Sequence, residues 1–327
     1  MYDHKNNYGA VVIGRNEADR LESCLNSVVK NTNYIVYVDS GSTDNSLNIA
    51  RNLRIESIEL DMSIPFTAAR ARNIGFKRLL ELNPGIEYVQ FIDGDCEVVI
   101  DWFAKAITYL DKHQDIAVIC GRRRERFPDK SVYNLLCDME WNTPVGSAKA
   151  CGGDAMYRIT AFTSVGGYNQ NLIAGEEPEL CVRLRKAGWL VWRLDAEMTL
   201  HDANILHFGQ WWRRSIRAGY AFAEGVYFHG FTREKYRVRE SMRIWLWGIL
   251  LPISIIFLTF INACWLLLSI SYLIQIIRIS LKRGKLTYIN IVYAFYLMLG
   301  KLPEGIGQLK YIFNRIFSRQ NSLIEYK

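Results

Sequence analysis

The chain has 327 residues, 50% of them hydrophobic and 22% charged, with only 7 Pro, which is too apolar for a disordered protein and long enough for one large domain plus an appendage. Cys24, Cys96, Cys120, Cys137, Cys151, Cys181 and Cys264 form no Cys-x-x-Cys, so neither a disulfide framework nor a zinc site is indicated and a reducing compartment is expected. The net charge of +7 is uneven: residues 1–232 carry 26 Lys+Arg against 29 Asp+Glu (−3), and residues 233–327 carry 14 against 4 (+10), so the basic excess sits beside the longest apolar runs and points to a membrane surface, not to nucleic acid.

Residues 1–7 are polar and the first apolar run is only strand length, so no secretory leader is expected. From there strand-like and helix-like patterns alternate: strands over 9–13, 34–38, 55–60 and 88–92, and helices carrying the Leu21, Leu25, Val28 stripe and covering 46–54 and 66–82. Short strands alternating with longer helices predict an α/β fold, a Rossmann-like and mostly parallel sheet with helices on both faces. Ligands of such sheets bind beyond the carboxyl ends of the strands. Three of those ends carry polar clusters: Gly14-Arg15-Asn16-Glu17, Asp39-Ser40-Gly41-Ser42-Thr43-Asp44, and Asp93-Gly94-Asp95. No Gly-x-Gly-x-x-Gly and no P-loop follows the first strand, which argues against a dinucleotide site and excludes a P-loop nucleotidase.

Asp93 and Asp95, one small residue apart at the end of an apolar strand, suit a divalent cation beside a diphosphate. Asp39 suits a ribose or base edge, whereas Asp44 is expected to cap the next helix. Gly175-Glu176-Glu177 opens a helix running to Gly188; acids there are stabilised by the macrodipole, or one of them serves as a general base. Cys151-Gly152-Gly153-Asp154 precedes another strand, and glycines there let backbone approach a ligand. His201 is either structural or a third metal ligand. Arg122, Arg123, Arg124 and Arg126 form a solvated loop or a phosphate clamp. Trp211 and Trp212, with Arg213 and Arg214, either anchor at an interface or bind an anionic diphosphate or sugar ring.

Beyond this, residues 244–277 contain no charged side chain. As one helix they would reach ~50 Å, against ~30 Å of hydrocarbon. Arg239 and Arg243 precede the run and Arg278 and Lys282 follow it. Two short spans turning at Asn262-Ala263 keep both cationic flanks on the cytoplasmic side; one tilted helix is the alternative. The chain thus divides into 1–232 and a membrane-associated 233–327, with a helical hairpin over 244–280 and interfacial helices over 288–319. In the last of these, Ile306, Leu309, Ile312, Phe313, Ile316 and Phe317 oppose Lys310, Arg315 and Arg319.

Over residues 8–230 the order and spacing of these motifs resembles family 2 glycosyltransferases with the GT-A nucleotide-sugar fold, in a membrane-anchored, bacterial-type form. The resemblance implies that Arg15, Asn16, Glu17, Asp39, Ser42 and Asp93 bind the donor. It places Asp93 and Asp95, with His201, on a divalent metal (Mg or Mn), and Gly153, Asp154, Trp211 and Trp212 at the acceptor. Glu177, or its neighbour Glu176, takes the position of the catalytic base. Where the family usually has Glu-Asp, this chain has Glu176-Glu177, so which acid accepts the proton stays open. The implied reaction is an inverting transfer from a nucleotide diphosphate sugar to a lipid-linked or saccharide acceptor, in cell-surface polysaccharide or glycolipid synthesis, by a cell-membrane protein with a cytoplasmic catalytic domain. The alternatives are a nucleotidyltransferase of related fold and a non-catalytic membrane-anchored sugar-binding protein.

Overall fold

The computed structural model describes residues 7–317; residues 1–6 of the polar opening, and Arg319 of the expected interfacial segment, lie outside the described residues. The chain divides into two compact units, Met1–Leu206 and His207–Lys327.

In the first unit the expected alternation is present: β1 (Tyr8–Gly14), α1 (Ala18–Val29), β2 (Ile35–Asp39), α2 (Ser46–Asn52), β3 (Glu56–Glu59), α3 (Ala68–Leu82) and β4 (Tyr88–Asp93). There follow β5 (Cys96–Val98), α4 (Trp102–Lys112), β6 (Ile116–Glu125), α5 (Val132–Trp141), β7 (Gly146–Ser147), β8 (Ala155–Arg158), α6 (Ile159–Ser164), α7 (Glu176–Lys186) and β9 (Leu190–His201). The strands form one sheet in the order β3-β2-β1-β4-β8-β6-β9-β5, with β7 also paired to β9. β1, β2 and most of β4 are buried on both faces, which is why they read as unbroken apolar runs. Across β3, β2, β1 and β4 the pairing is parallel. Beyond them the sheet is mixed: β8 is antiparallel to both β4 and β6, while β6 and β9 are parallel.

Register, more than any single contact, assembles the chemistry. Gly14 lies opposite Asp39, and Ile13 opposite Asp93, so the polar clusters after β1, β2 and β4 emerge at one end of the sheet. In the antiparallel ladder Cys96 faces His201, which brings the end of β9 to the Asp93-Gly94-Asp95 turn. Under the sheet, Phe91 meets Phe76, Tyr157, Phe162 and Tyr168 with ring centroids 5.2–6.5 Å apart, a geometry that adds to simple area burial.

The second unit is helical: α8 (Phe208–His229), α9 (Val238–Ile244) continuing through a π-turn (Trp245–Leu250) into α10 (Leu251–Ile261), then a 3₁₀ stretch (Ala263–Ser269) into α11 (Ile270–Lys282), α12 (Tyr288–Leu299) and α13 (Lys301–Ile316). It begins earlier than the charge break at 232/233 because α8 packs on α13. A Cβ on Gly219 would lie 2.0 Å from Glu304 O, and one on Gly307 would lie 2.1 Å from Ile216 O, so only glycine permits this crossing. Tyr220 and Tyr311 close it edge to face, with centroids 5.1 Å apart. α13 therefore buries Gly307, Gln308, Tyr311 and Asn314, while Ile306, Leu309, Ile312, Phe313, Ile316 and Phe317 stay exposed.

Val238–Ile261 and Ala263–Lys282 are two helices long and apolar enough to cross a bilayer. Between them Asn262 is extended and its side chain accepts the Cys264 N–H, which breaks the helix where the composition predicts a turn. The Tyr272 hydroxyl donates to Trp247 O at 2.6 Å, so the second helix runs back along the first. That is a hairpin, not one long tilted helix.

Candidate active site

Loops after β1 and β2 are laced together by short polar side chains. Asn16, at φ +56, donates its backbone N–H to Ser42 Oγ (2.9 Å) and accepts the Thr43 N–H on Oδ1 (2.8 Å). Asp39 is 3% exposed; it accepts Ser42 N–H at 2.8 Å, Ser42 Oγ at 2.6 Å and the Tyr37 hydroxyl at 3.0 Å. Asp44 is not the N-cap of α2, which is Asn45; one residue earlier, it accepts Ser46 N–H at 3.0 Å and, on its other oxygen, the Ala18 N–H that starts α1. Arg15 stacks over Phe66 at 4.5 Å. Glu17 pairs with Arg20, whose Nη1 donates to Asp202 O at 3.3 Å, and Asp202 N–H in turn donates to Asp95 O at 3.1 Å. The chain of contacts thus runs from the first loop to the Asp93-Gly94-Asp95 turn.

A second group centres on Arg72, a cation that the sequence analysis does not single out. Its Nη1 donates to Glu176 at 2.7 Å and its Nη2 to Asp93 at 2.6 Å, with Glu177 Oε1 at 3.8 Å. The signal was present: Arg72 falls on the buried stripe of α3 that carries Ala69, Phe76 and Leu79, and a cation there needs acids to pair with. Glu176 is buried and held by this guanidinium. Glu177 is 18% exposed on its side chain. Burial first, then the neighbouring Glu176 charge, pushes the Glu177 carboxyl up to about 7. Gly153 lies against the same group, since a Cβ there would meet Arg72 Nη2 at 2.6 Å, Asp93 Oδ2 at 2.8 Å and Glu177 Oε1 at 3.2 Å.

Asp154 is fully buried. Its carboxylate accepts the Asp93 N–H (3.1 Å) and the Thr199 hydroxyl (3.0 Å) and pairs with Arg123 Nε (3.0 Å). With no surface left to meet an acceptor, it positions Asp93, which corrects the acceptor role implied by resemblance. The arginine run is corrected too. It is strand β6 and its exit, and neither a solvated loop nor a clamp: Arg122 pairs with Asp138, Arg123 with Asp154, Arg124 with Glu197 and Arg126 with Glu97.

Asp95, Cys96 and His201 offer ligand atoms within 4.8 Å of one another, and Asp93, Cys96 and Asp154 form another such group. His201 Nε2 lies 3.4 Å from Asp95 Oδ1, while its Nδ1 is 3.9 Å from Glu125 Oε2. Glu125 is itself fixed by Phe127 N–H, Asn134 Nδ2 and Ala203 N–H. A carboxylate and an imidazole converging, with a second carboxylate behind the ring, is a donor set for a divalent cation. Trp211 and Trp212 belong to α8 of the second unit, where Trp211 packs edge to face on Tyr296 at 5.2 Å.

Known proteins resemble this chain in sequence and in fold. Residues 10–147 match the family described as glycosyl transferase family 2; Gly153, Glu176, Glu177 and His201 lie beyond the matched segment. The succinoglycan biosynthesis protein ExoA of Rhizobium meliloti (strain 1021) is 29% identical over 196 residues, 55% of this chain and 58% of that protein. The glycosyltransferase AglE of Haloferax volcanii is 23% identical over 62% of this chain and 69% of its own length. The O-antigen chain rhamnosyltransferase RfbN of Salmonella typhimurium is 22% identical over 55% of this chain and 61% of its own. The chain therefore spans 58% to 69% of the length of the curated relatives it matches. Among solved structures, the mannosyltransferase PcManGT from Pyrobaculum calidifontis, in complex with GDP-Man and Mn²⁺, superposes with a TM-score of 0.64 at 14% identity, covering 94% of this chain and 88% of that one. That likeness establishes the fold as GT-A.

Proposed function

Because residues 10–147 match glycosyl transferase family 2, we propose an inverting glycosyltransferase that moves one sugar from a nucleotide diphosphate sugar to an acceptor hydroxyl, in the synthesis of a cell-surface polysaccharide or glycolipid. The observation that carries the reading is Glu177, a partly exposed carboxyl with its pKa near 7, set against Arg72, Asp93 and the bare backbone of Gly153. A base poised near operating pH is what proton removal from a sugar hydroxyl needs. Arg72 engages Glu176 directly, so Glu177 is the base and Glu176 orients the guanidinium.

In this reading the Asn16–Ser42–Asp39 loops receive the nucleoside, with Arg15 and Glu17 at their edge. Asp93 and Asp95 face the diphosphate. Asp95 and His201 would hold a Mg²⁺ or Mn²⁺ ion, which when bound supplies positive charge near the leaving diphosphate. Glu177 takes the acceptor proton as the hydroxyl oxygen forms its bond to the anomeric carbon and the bond to the diphosphate oxygen breaks. Arg72 keeps Asp93 and Glu177 at fixed spacing throughout. Gly153 lets its backbone pack directly against Arg72, Asp93 and Glu177.

A membrane site for this chemistry is supported by the exposed apolar faces of α10, α11 and α13 and by the basic excess of the same region. The cationic flanks of the two apolar helices favour the cytoplasmic side by the positive-inside rule, and a lipid-linked or membrane-associated acceptor suits an enzyme held at that surface. The test is a donor panel with detergent-solubilised protein and Mg²⁺ or Mn²⁺. Release of a nucleoside diphosphate is expected, and release of pyrophosphate would instead assign a nucleotidyltransferase. Turnover with no loss in EDTA would remove the metal.

A further inference from the structure

Where the first apolar helix begins, one of its faces lines an open cavity of about 590 Å³, formed by Arg239, Met242, Arg243, Trp245, Leu246 and Leu250. Arg239 and Arg243 are four residues apart, so their guanidinium groups lie one above the other on that face. Both are exposed, and among the described residues no carboxylate pairs with either, whereas Arg237 pairs with Glu240 at 3.7 Å. Met242, Leu246 and Leu250 are also exposed, and from Arg239 to Leu250 the face rises about 16 Å along the helix. The cavity is therefore cationic at one end and apolar at the other. The backbone behind it is fixed against α13. Ile244 and Ile249 are buried, Gln308 Nε2 donates to Ser241 Oγ at 3.1 Å, and a Cβ on Gly248 would collide with Lys301 O.

A small soluble anion would use the arginines and leave Met242, Leu246 and Leu250 facing water. An amphiphile with an anionic head uses both ends. Guanidinium forks match phosphate oxygens in geometry as well as charge, and an indole such as Trp245 is favoured at the level of the lipid headgroups. We propose that this cavity binds one anionic glycerophospholipid, with its phosphodiester group between Arg239 and Arg243 and an acyl chain along Met242, Leu246 and Leu250. The bound lipid sets the two arginines at the phosphate plane and so fixes the depth at which Val238–Ile261 enters the bilayer. The site is independent of the transfer reaction and rests only on that helix entering a membrane.

Full-length protein in detergent, titrated with dioctanoyl phosphatidylglycerol and followed by native mass spectrometry, should take up one lipid saturably. Dioctanoyl phosphatidylcholine, with the same chains and phosphate but no net charge, should bind at least about 10-fold more weakly. The double variant R239Q/R243Q should lose at least about 10-fold in affinity for phosphatidylglycerol. R278Q/K282Q, which removes an equally spaced cationic pair from α11, should bind as the wild type does, and R243K, which keeps the charge without the planar fork, should fall between. Inorganic phosphate at the concentration of the lipid should not displace it. No uptake, equal binding of the two lipids, equal loss in both double variants, or displacement by inorganic phosphate would overturn the proposal. The two-lipid comparison uses the unaltered chain, so it decides the site even where a variant misfolds.

Discussion

Glu177 is a carboxyl whose environment favours the neutral form, and two measurable consequences follow. Turnover should rise with pH through about 7 and then level, since only the carboxylate accepts a proton. Its folded-state pKa lies above the unfolded value, so the native state binds the extra proton and its stability falls as pH rises from the ordinary carboxylate range through about 7. Glu177→Gln, which carries no charge to lose, is therefore expected to melt higher than wild type at pH 8 and close to it at pH 4, while turnover drops about 10²–10⁴-fold and donor affinity holds. An unchanged pH profile in that variant would assign the titration elsewhere. Gly153→Ala makes the converse test: its Cβ would lie 2.6 Å from Arg72 Nη2 and 2.8 Å from Asp93 Oδ2, so the buried ion cluster must shift and both turnover and melting temperature should fall.

Among the elements, α1 and α2 share one residue as a starting point. Because Asp44 accepts N–H groups from both Ala18 and Ser46, Asp44→Ala should cost about 1–2 kcal/mol, read as a lower melting temperature, and should loosen the Asn16–Ser42 loop enough to weaken donor binding. Asp44→Asn has a single acceptor oxygen, so it can keep only one of the two N–H bonds and should recover at most part of the loss. The order of β1 to β4 and the helices between them was legible in sequence because β1, β2 and most of β4 are buried on both faces and α1 and α3 have clear apolar stripes. β8 and the direction of β9 were not, since a short strand's partner is set by residues far away in sequence. Arg72 was missed for a similar reason: helical periodicity shows that a cation falls on a buried face, but not which acids will meet it.

At the scale of the molecule, the second unit should keep the protein with membranes. Its two apolar helices, 11% and 6% buried over their most apolar windows, leave side chains such as Ile256, Phe257, Leu273 and Ile274 exposed. Extraction should therefore require detergent, and neither high salt nor alkaline carbonate should release the chain; release by salt alone would reduce the attachment to charge. Composition by itself determined that these segments are apolar and that the cationic flanks favour one side, because hydropathy and charge are additive along a chain; the break at Asn262, against one tilted helix, came from the structure. Composition determined as well that acids end three parallel strands, since burial writes a strand's limits into its residues. Only the tertiary structure decided that Asp154 serves Asp93 and no acceptor, that Glu176 is bound to Arg72 and Glu177 is left partly open, and that α8 joins the helical unit. Those outcomes depend on which side chains meet across dozens of residues, and spacing along the chain carries no record of that distance.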